Sequence, residues 1–259
     1  MAGEGGKTRM TPDRLFDEGY REELTLPDGS RMRLRLADRG DRDGILAGFE
    51  RLSAETRVQR WFYPKMRLTE AEIEALVSPA DDDHGAIVAV QLDENDAEAE
   101  PIGMARFVRS REDPAAGEIA ITIVDDWQGL GIGRILLHRL LAMMSERRIP
   151  WADGRVQAEN RRMRRLLEPY VPQGGFQRED DLLRFRFPVP ALGDPLMSQL
   201  ARNAAAVAHM FKRMAEGGLV LPLALAEKRL QSIGPRALLE TLQRQDGKRP
   251  RGKPAKNEG

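Results

Sequence analysis

Apolar and polar residues alternate first around Leu24 and Leu26, break at Pro27-Asp28-Gly29, and resume as Met32, Leu34 and Leu36 interleaved with Arg31, Arg33 and Arg35. A period of two on both sides of a Pro-Asp-Gly turn predicts a hairpin of half-buried strands. The period then lengthens to that of helices. After Asp41, the residues Ile45, Leu46, Phe49 and Leu52 share one face; Ser53 is placed to cap a second helix carrying Val58, Trp61 and Phe62. Thr69 with Glu72 matches a capping box ahead of Ile73, Leu76 and Val77. Two β-rich runs, Ala86 to Leu92 and Ile102 to Val108, flank a turn rich in Asp93, Glu94, Asp96, Glu98 and Glu100, which reads as a hairpin with an acidic, solvated loop. A strand from Glu118 to Val124 runs through Asp125-Asp126-Trp127-Gln128 into a helix from about Gly131 to Arg147. The apolar face of that helix is Ile132, Ile135, Leu136, Leu140, Met143 and Met144. Trp151 to Ala158 reads as a strand, Arg161 to Leu167 as a short helix and Phe176 to Phe187 as a last strand pair.

This order of elements predicts an α+β domain over residues 21–190. Residues 1–20 offer little beyond Leu15, Phe16 and Tyr20 among glycines and charges and read as a flexible arm. Past Pro188-Val189-Pro190 the pattern turns wholly helical over 191–245, with Leu196, Leu200, Ala204, Val207, Phe211 and Met214 at steps of three and four. Such a stripe must be covered, by the preceding domain or by the same helix of a second copy, which would make a dimer. Residues 246–259 are a basic tail without hydrophobes.

Composition narrows the chemistry. Forty-one basic residues cancel 41 acidic ones, so net charge gives no support to nucleic-acid binding. With 0 cysteines, thiolate zinc sites, iron–sulfur clusters and cysteine nucleophiles are excluded by inventory. His84, His138 and His209 have no partner spacing, so no metal is expected. Met1 to Met10 is polar, and the longest apolar stretch, Leu219 to Ala226, falls far short of the roughly 18 residues of a membrane span. A cytoplasmic chain without membrane partner is the expectation.

The informative passage is the strand, then Gln128-Gly129-Leu130-Gly131-Ile132-Gly133-Arg134, then the helix. Unpaired N–H groups at a helix start, at the positive end of its dipole and among glycines, make an anion cradle. The P-loop pattern fails, because no Lys-Ser or Lys-Thr follows the glycines. The dinucleotide fingerprint fails as well, since its third glycine would fall on Arg134. Asn160 precedes the short helix as an N-cap or as a ligand-binding amide, with both readings open.

Gln128, Gly131 and Gly133 fit the Gln/Arg-x-x-Gly-x-Gly signature, and the stretch resembles the Gcn5-related N-acetyltransferases (GNAT). Ala158-Glu159-Asn160-Arg161-Arg162-Met163, a short helix and Gly175-Phe176 resemble that family's second cofactor motif. Leu52-Ser53-Ala54-Glu55-Thr56-Arg57, Trp61-Phe62 and Glu118-Ile119-Ala120-Ile121 are similar to bacterial Pat-type protein lysine acetyltransferases, so the likeness spans about Leu24 to Phe187. Two departures stand out. The position seven residues beyond the motif's asparagine, where many members place a tyrosine acid, is Leu167, with Tyr170 nearby but out of register. The segment after Pro190 also lacks the nucleotide motif of a fused acyl-CoA synthetase-like domain.

The resemblance implies a GNAT-like fold, a mixed and mostly antiparallel twisted sheet flanked by helices, here with a C-terminal helical extension. It implies acetyl-CoA as cosubstrate, held by Gln128, Gly129, Gly131, Ile132, Gly133, Arg134 and Asn160, with backbone groups of Ile121 and Ile123 along its arm. It further implies a protein lysine as acceptor, with an acyl-CoA synthetase a candidate partner. A lysine ammonium has a pKa of about 10.4 and must lose a proton before it attacks, and the Pat-type register makes Glu118 the base, with partial burial expected to raise its pKa. Transfer to a small amine, and a non-catalytic acyl-CoA sensor, stay open as alternatives.

Overall fold

The computed structural model describes residues 14–191. The apolar stripe from Leu196 to Met214, the pairing through it, and the tail over 246–259 lie outside the described residues.

The first alternation forms β1 (Arg21–Thr25) and β2 (Arg31–Leu36), joined by a turn in which Gly29 takes φ +90°. Met32 and Leu34 are fully buried, while Arg31 and Arg33 pair with Glu23. Arg35 is instead drawn inward and donates to both carboxylate oxygens of Asp41, at 2.7 and 2.8 Å. Asp41 directly precedes α1 (Arg42–Glu50), so this buried pair fixes where the first helix leaves the sheet. α2 (Ala54–Trp61) starts at Ser53, whose hydroxyl accepts from the Thr56 N–H, and α3 (Glu70–Val77) starts at Thr69 with a complete capping box. Phe62, expected on the apolar face of α2, closes that helix in the left-handed conformation and is exposed.

The remaining strands are β3 (His84–Leu92), β4 (Glu98–Arg109), β5 (Ala116–Ile123), β6 (Trp151–Gln157), β7 (Phe176–Glu179) and β8 (Leu182–Pro188). They form one eight-stranded sheet in the order β1-β2-β3-β4-β5-β6-β8-β7. Every neighbouring pair is antiparallel except β5 with β6. The crossover between those two is α4 (Ile132–Glu146), as a parallel pair requires, and α5 (Arg161–Leu167) follows β6.

Alternation along β5 divides the core. Ile119, Ile121 and Ile123 belong to the main cluster with Leu136, Leu140 and Met143 of α4. Residues of the other face meet a second cluster of Ile45, Phe49, Leu52, Leu68, Ile73 and Val77 under α1 to α3. Two expectations are corrected. Glu98 does not lie in a solvated loop: it opens β4 and accepts from Arg35 at 2.8 Å, because a buried guanidinium needs more than one carboxylate to satisfy its donors. Phe16 and Tyr20, expected in the arm, are core residues, and Arg147 donates to the Phe16 carbonyl to hold that stretch in place. Among the described residues no helix is long and apolar enough to cross a membrane.

Candidate active site

β5 and β6 pair for three positions only, Ala116 with Trp151, Gly117 with Ala152 and Glu118 with Asp153, although β5 continues to Ile123 and β6 to Gln157. β6 stays in register with β8 along its whole length, so beyond Glu118 the two halves of the sheet diverge. The hydrogen-bond parity of β5 decides what faces the gap. The Val124 N–H donates to the Ile102 carbonyl, which makes the even-numbered positions the bonded pairs with β4. The backbone groups of Ile121 and Ile123 therefore point away from β4, into the divergence. α2 and the end of β6 face each other across a cleft of about 540 Å³ lined by Ala54, Val58, Gln59, Gln157 and Glu159.

At the end of β5 a network ties three elements together. Asp125 accepts from the Ser53 N–H at 2.9 Å and from the Ser53 and Thr56 hydroxyls at 2.6 and 2.9 Å. Burial pushes its carboxyl up, but these donors outweigh burial and hold it below its ordinary value. Gln128 donates to the Ile123 carbonyl at 3.2 Å and to the Thr56 hydroxyl at 3.3 Å, and its own carbonyl accepts from Arg162 of α5. Gln128 thus spans the divergence as a strut.

The cradle follows. Gly129 and Gly131 take φ +86° and +88°, and a Cβ built on either would meet nothing within 4 Å, so backbone conformation and not crowding demands glycine. Gly131 is the N-cap of α4 and provides no side-chain cap. The N–H groups of Leu130, Gly131, Ile132 and Gly133 have no partner among the described residues. Ile132 directs its side chain into the core, whereas Arg134 is exposed and free of ion pairs among the described residues. Open backbone donors, a helix dipole and a free guanidinium suit a phosphate group.

Glu118 stands at the point where the strands part. Its side chain is exposed and has no hydrogen bond or ion pair among the described residues, so the expected partial burial is absent. The reason lies in the sheet: its cross-strand neighbour Val108 is 40% exposed, so among the described residues this end of the strand pair is open. Beside it, in register on β6, is Asp153, whose carboxyl is pushed up by burial and by the charge of Glu118 against the pull of Arg186. Asp153 was missed in the sequence because strand partnership, which local pattern does not encode, brings it there. Arg60 and Arg106, also missed, meet beneath the same face.

Asn160 caps α5, accepting from the Met163 N–H at 2.9 Å, so its carbonyl is committed and only its amide N–H groups are free. Leu167 is fully buried, and Tyr170 packs on Phe187 with its hydroxyl buried and unpartnered among the described residues. Burial raises the Tyr170 phenol well above its ordinary pKa.

The model of the GNAT acetyltransferase domain matches residues 31–170. The acetyltransferase Pat of Mycolicibacterium smegmatis is 31% identical over 129 residues, half of this chain and 37% of that protein's length. An acetyltransferase of Pseudomonas aeruginosa is 29% identical over 149 residues, 58% of this chain and 78% of the relative. Among solved structures, the GNAT domain of S. lividans PAT superposes with a TM-score of 0.56 at 24% identity, covering 65% of this chain and 96% of that one. With the matched family spanning more than half of its residues, and strand order, splayed β5–β6 pair and glycine-rich helix start in place, the chain belongs to the GNAT acetyltransferase family.

Proposed function

We propose that this chain is an acetyl-CoA-dependent protein lysine acetyltransferase of the cytosol, in which Glu118 serves as the general base. The observation that supports the reading most is the opening of the sheet at Glu118: the gap leads along the backbone of Ile121 and Ile123, where only the Ile123 carbonyl is taken, by Gln128, to the unpaired N–H groups at the start of α4. The residues fit a pyrophosphate there, because the positive-φ glycines leave the space beside them empty. The amides of Gly129, Gly131, Ile132 and Gly133 would hold the phosphates, and Arg134, with exposed Arg161 and Arg165 of α5, would offset their charge.

Acetyl-CoA, when bound, supplies the acetyl group as an activated thioester. Glu118 takes one proton from the acceptor ammonium, directly or through a water, and hands it to solvent, to which its side chain is open; as the C–N bond forms and the thioester C–S bond breaks, the second amine proton would leave with coenzyme A as its thiol. The backbone of Ile121 and Ile123 orients the arm, and Gln128 keeps the strand end and α5 at a fixed separation. Asn160 contributes its free amide N–H groups.

Incubation of the full chain with acetyl-CoA and an extract of folded proteins, followed by mapping of acetylated residues, tests the reading. New acetyl-lysines that disappear with Glu118→Gln are expected. Coenzyme A binding without thiol release against any protein or amine would leave a sensor and end the enzyme reading.

A further inference from the structure

α1 to α3 and the β4–β5 face beneath them border an open cavity of about 80 Å³. Its walls are apolar, with Phe49, Trp61, Leu68, Val88 and Met104, except where Arg60 of α2 and Arg106 of β4 enter it. Neither guanidinium has a hydrogen bond or an ion pair among the described residues; Arg60 lies over the Trp61 ring, 5.1 Å from its centroid. Burial pushes the Arg60 guanidinium down to about 10, and repulsion from Arg106 adds to the effect; Arg106 is lowered by burial too. Two carboxylates are in electrostatic range and neither closes the account. Glu72 is held by Lys65 at 2.7 Å and by Thr69, and Glu118 makes no ion pair. Both side chains are partly exposed, so two like charges line one largely apolar cavity, open to a ligand and without a carboxylate partner among the described residues.

The cavity lies on the face of β5 that carries Glu118. Ala120 and Thr122 line it and share a face of β5 with Glu118, whereas Ile121 and Ile123 point to α4. Arg106 is the cross-strand partner of Ala120 and so sits diagonal to Glu118, at roughly 7–8 Å between backbones.

We propose that Arg60 and Arg106 form a carboxylate-recognition subsite, so that the preferred acceptor carries a carboxylate close to the amine that is acetylated. This rests on the acetyl-transfer reading and adds the substrate class to it. The chemistry is common to an acidic side chain flanking a target lysine and to a free amino acid, and the two sources separate by assay.

Matched acceptors test it with the full chain: a short peptide with Lys followed by Glu against the same peptide with Gln, and 4-aminobutyrate against its amide. In each pair the carboxylate member is expected to have kcat/KM at least tenfold higher, and whichever pair gives the larger ratio names the source. Arg60→Gln and Arg106→Gln should each bring that ratio toward 1, a comparison within one variant from which folding damage cancels. Thermal midpoints equal to or above the parent's are expected, since either change removes a repelling charge. The same acceptors are titrated calorimetrically without acetyl-CoA, so that a protein transferring acetyl to nothing still reports on the subsite. Ratios near 1 in both rates and affinities, or a ratio indifferent to both substitutions, overturn the proposal.

Discussion

Glu118 and Asp153 stand side by side on parallel strands, and their surroundings divide the work of a base between them. Asp153 is half-buried opposite Arg186, its carboxyl raised mainly by burial, whereas Glu118 reaches into open space from the edge of the gap. A base must reach the proton it removes, so accessibility favours Glu118. Glu118→Gln is expected to lower turnover by about 10² to 10⁴ with coenzyme A affinity unchanged, and Asp153→Asn by less than about tenfold. Steady-state rates for both variants decide it. A larger loss with Asp153→Asn would move the base to β6.

At the scale of elements, the start of α4 couples strand, loop and helix. Its glycines are not equivalent: Gly131 needs φ +88°, while a Cβ at Gly133 would sit 3.6 Å from Leu166, an ordinary contact in an ordinary helical residue. Gly131→Asp therefore strains the backbone by about 1–2 kcal/mol and sets a negative charge in the cradle. Gly133→Ala should instead stabilise the helix by up to about 1 kcal/mol while crowding the phosphate. Urea unfolding and calorimetric titration with coenzyme A are expected to show opposite stability changes and weaker binding in both variants. Unchanged affinity in both would remove the cradle from the site. The element was legible because its signals are local: a period of 3.6, glycines at a helix start, and a capping residue before α5 all lie within a few residues of what they specify. The divergence of β5 from β6 was not legible, since it depends on β6 following β8 rather than β5. Arg60 and Arg106 belong to no local motif, and only the packing of α2 over β4 puts them at one cavity. Glu98 was misread as a loop acid for the same reason, because the Arg35 that recruits it is fixed by the pairing of β2 with β3 and β3 with β4.

The stability of the whole molecule carries a further imprint of this packing. His138 sits on the buried side of α4, edge-on to the Tyr170 ring, with its Nε2 unpartnered among the described residues. Burial pushes its pKa down to about 4, helped by the charges of Arg139 and Arg134. An unfolded chain restores the ordinary value of about 6.5, so between these limits the unfolded state holds a proton that the folded state excludes. The contribution is complete above pH about 6.5 and is lost as pH falls toward about 4, reaching the order of 3 kcal/mol. Asp125 and Glu98, held below the ordinary carboxylate range by the donors around them despite partial desolvation, have the same sign in a lower window: their contribution is present above the ordinary carboxylate values and disappears as pH falls through the depressed ones. His138→Leu fills the site with an apolar side chain and removes the upper window alone. Urea unfolding of parent and variant at pH 7, 6 and 5 is expected to give a falling stability for the parent and a nearly level one for the variant, the two converging below pH 4 in their dependence on the carboxylates. Parallel profiles in the two proteins would mean that His138 takes up its proton within the folded state, and that α4 opens to water more readily than its packing against the sheet implies.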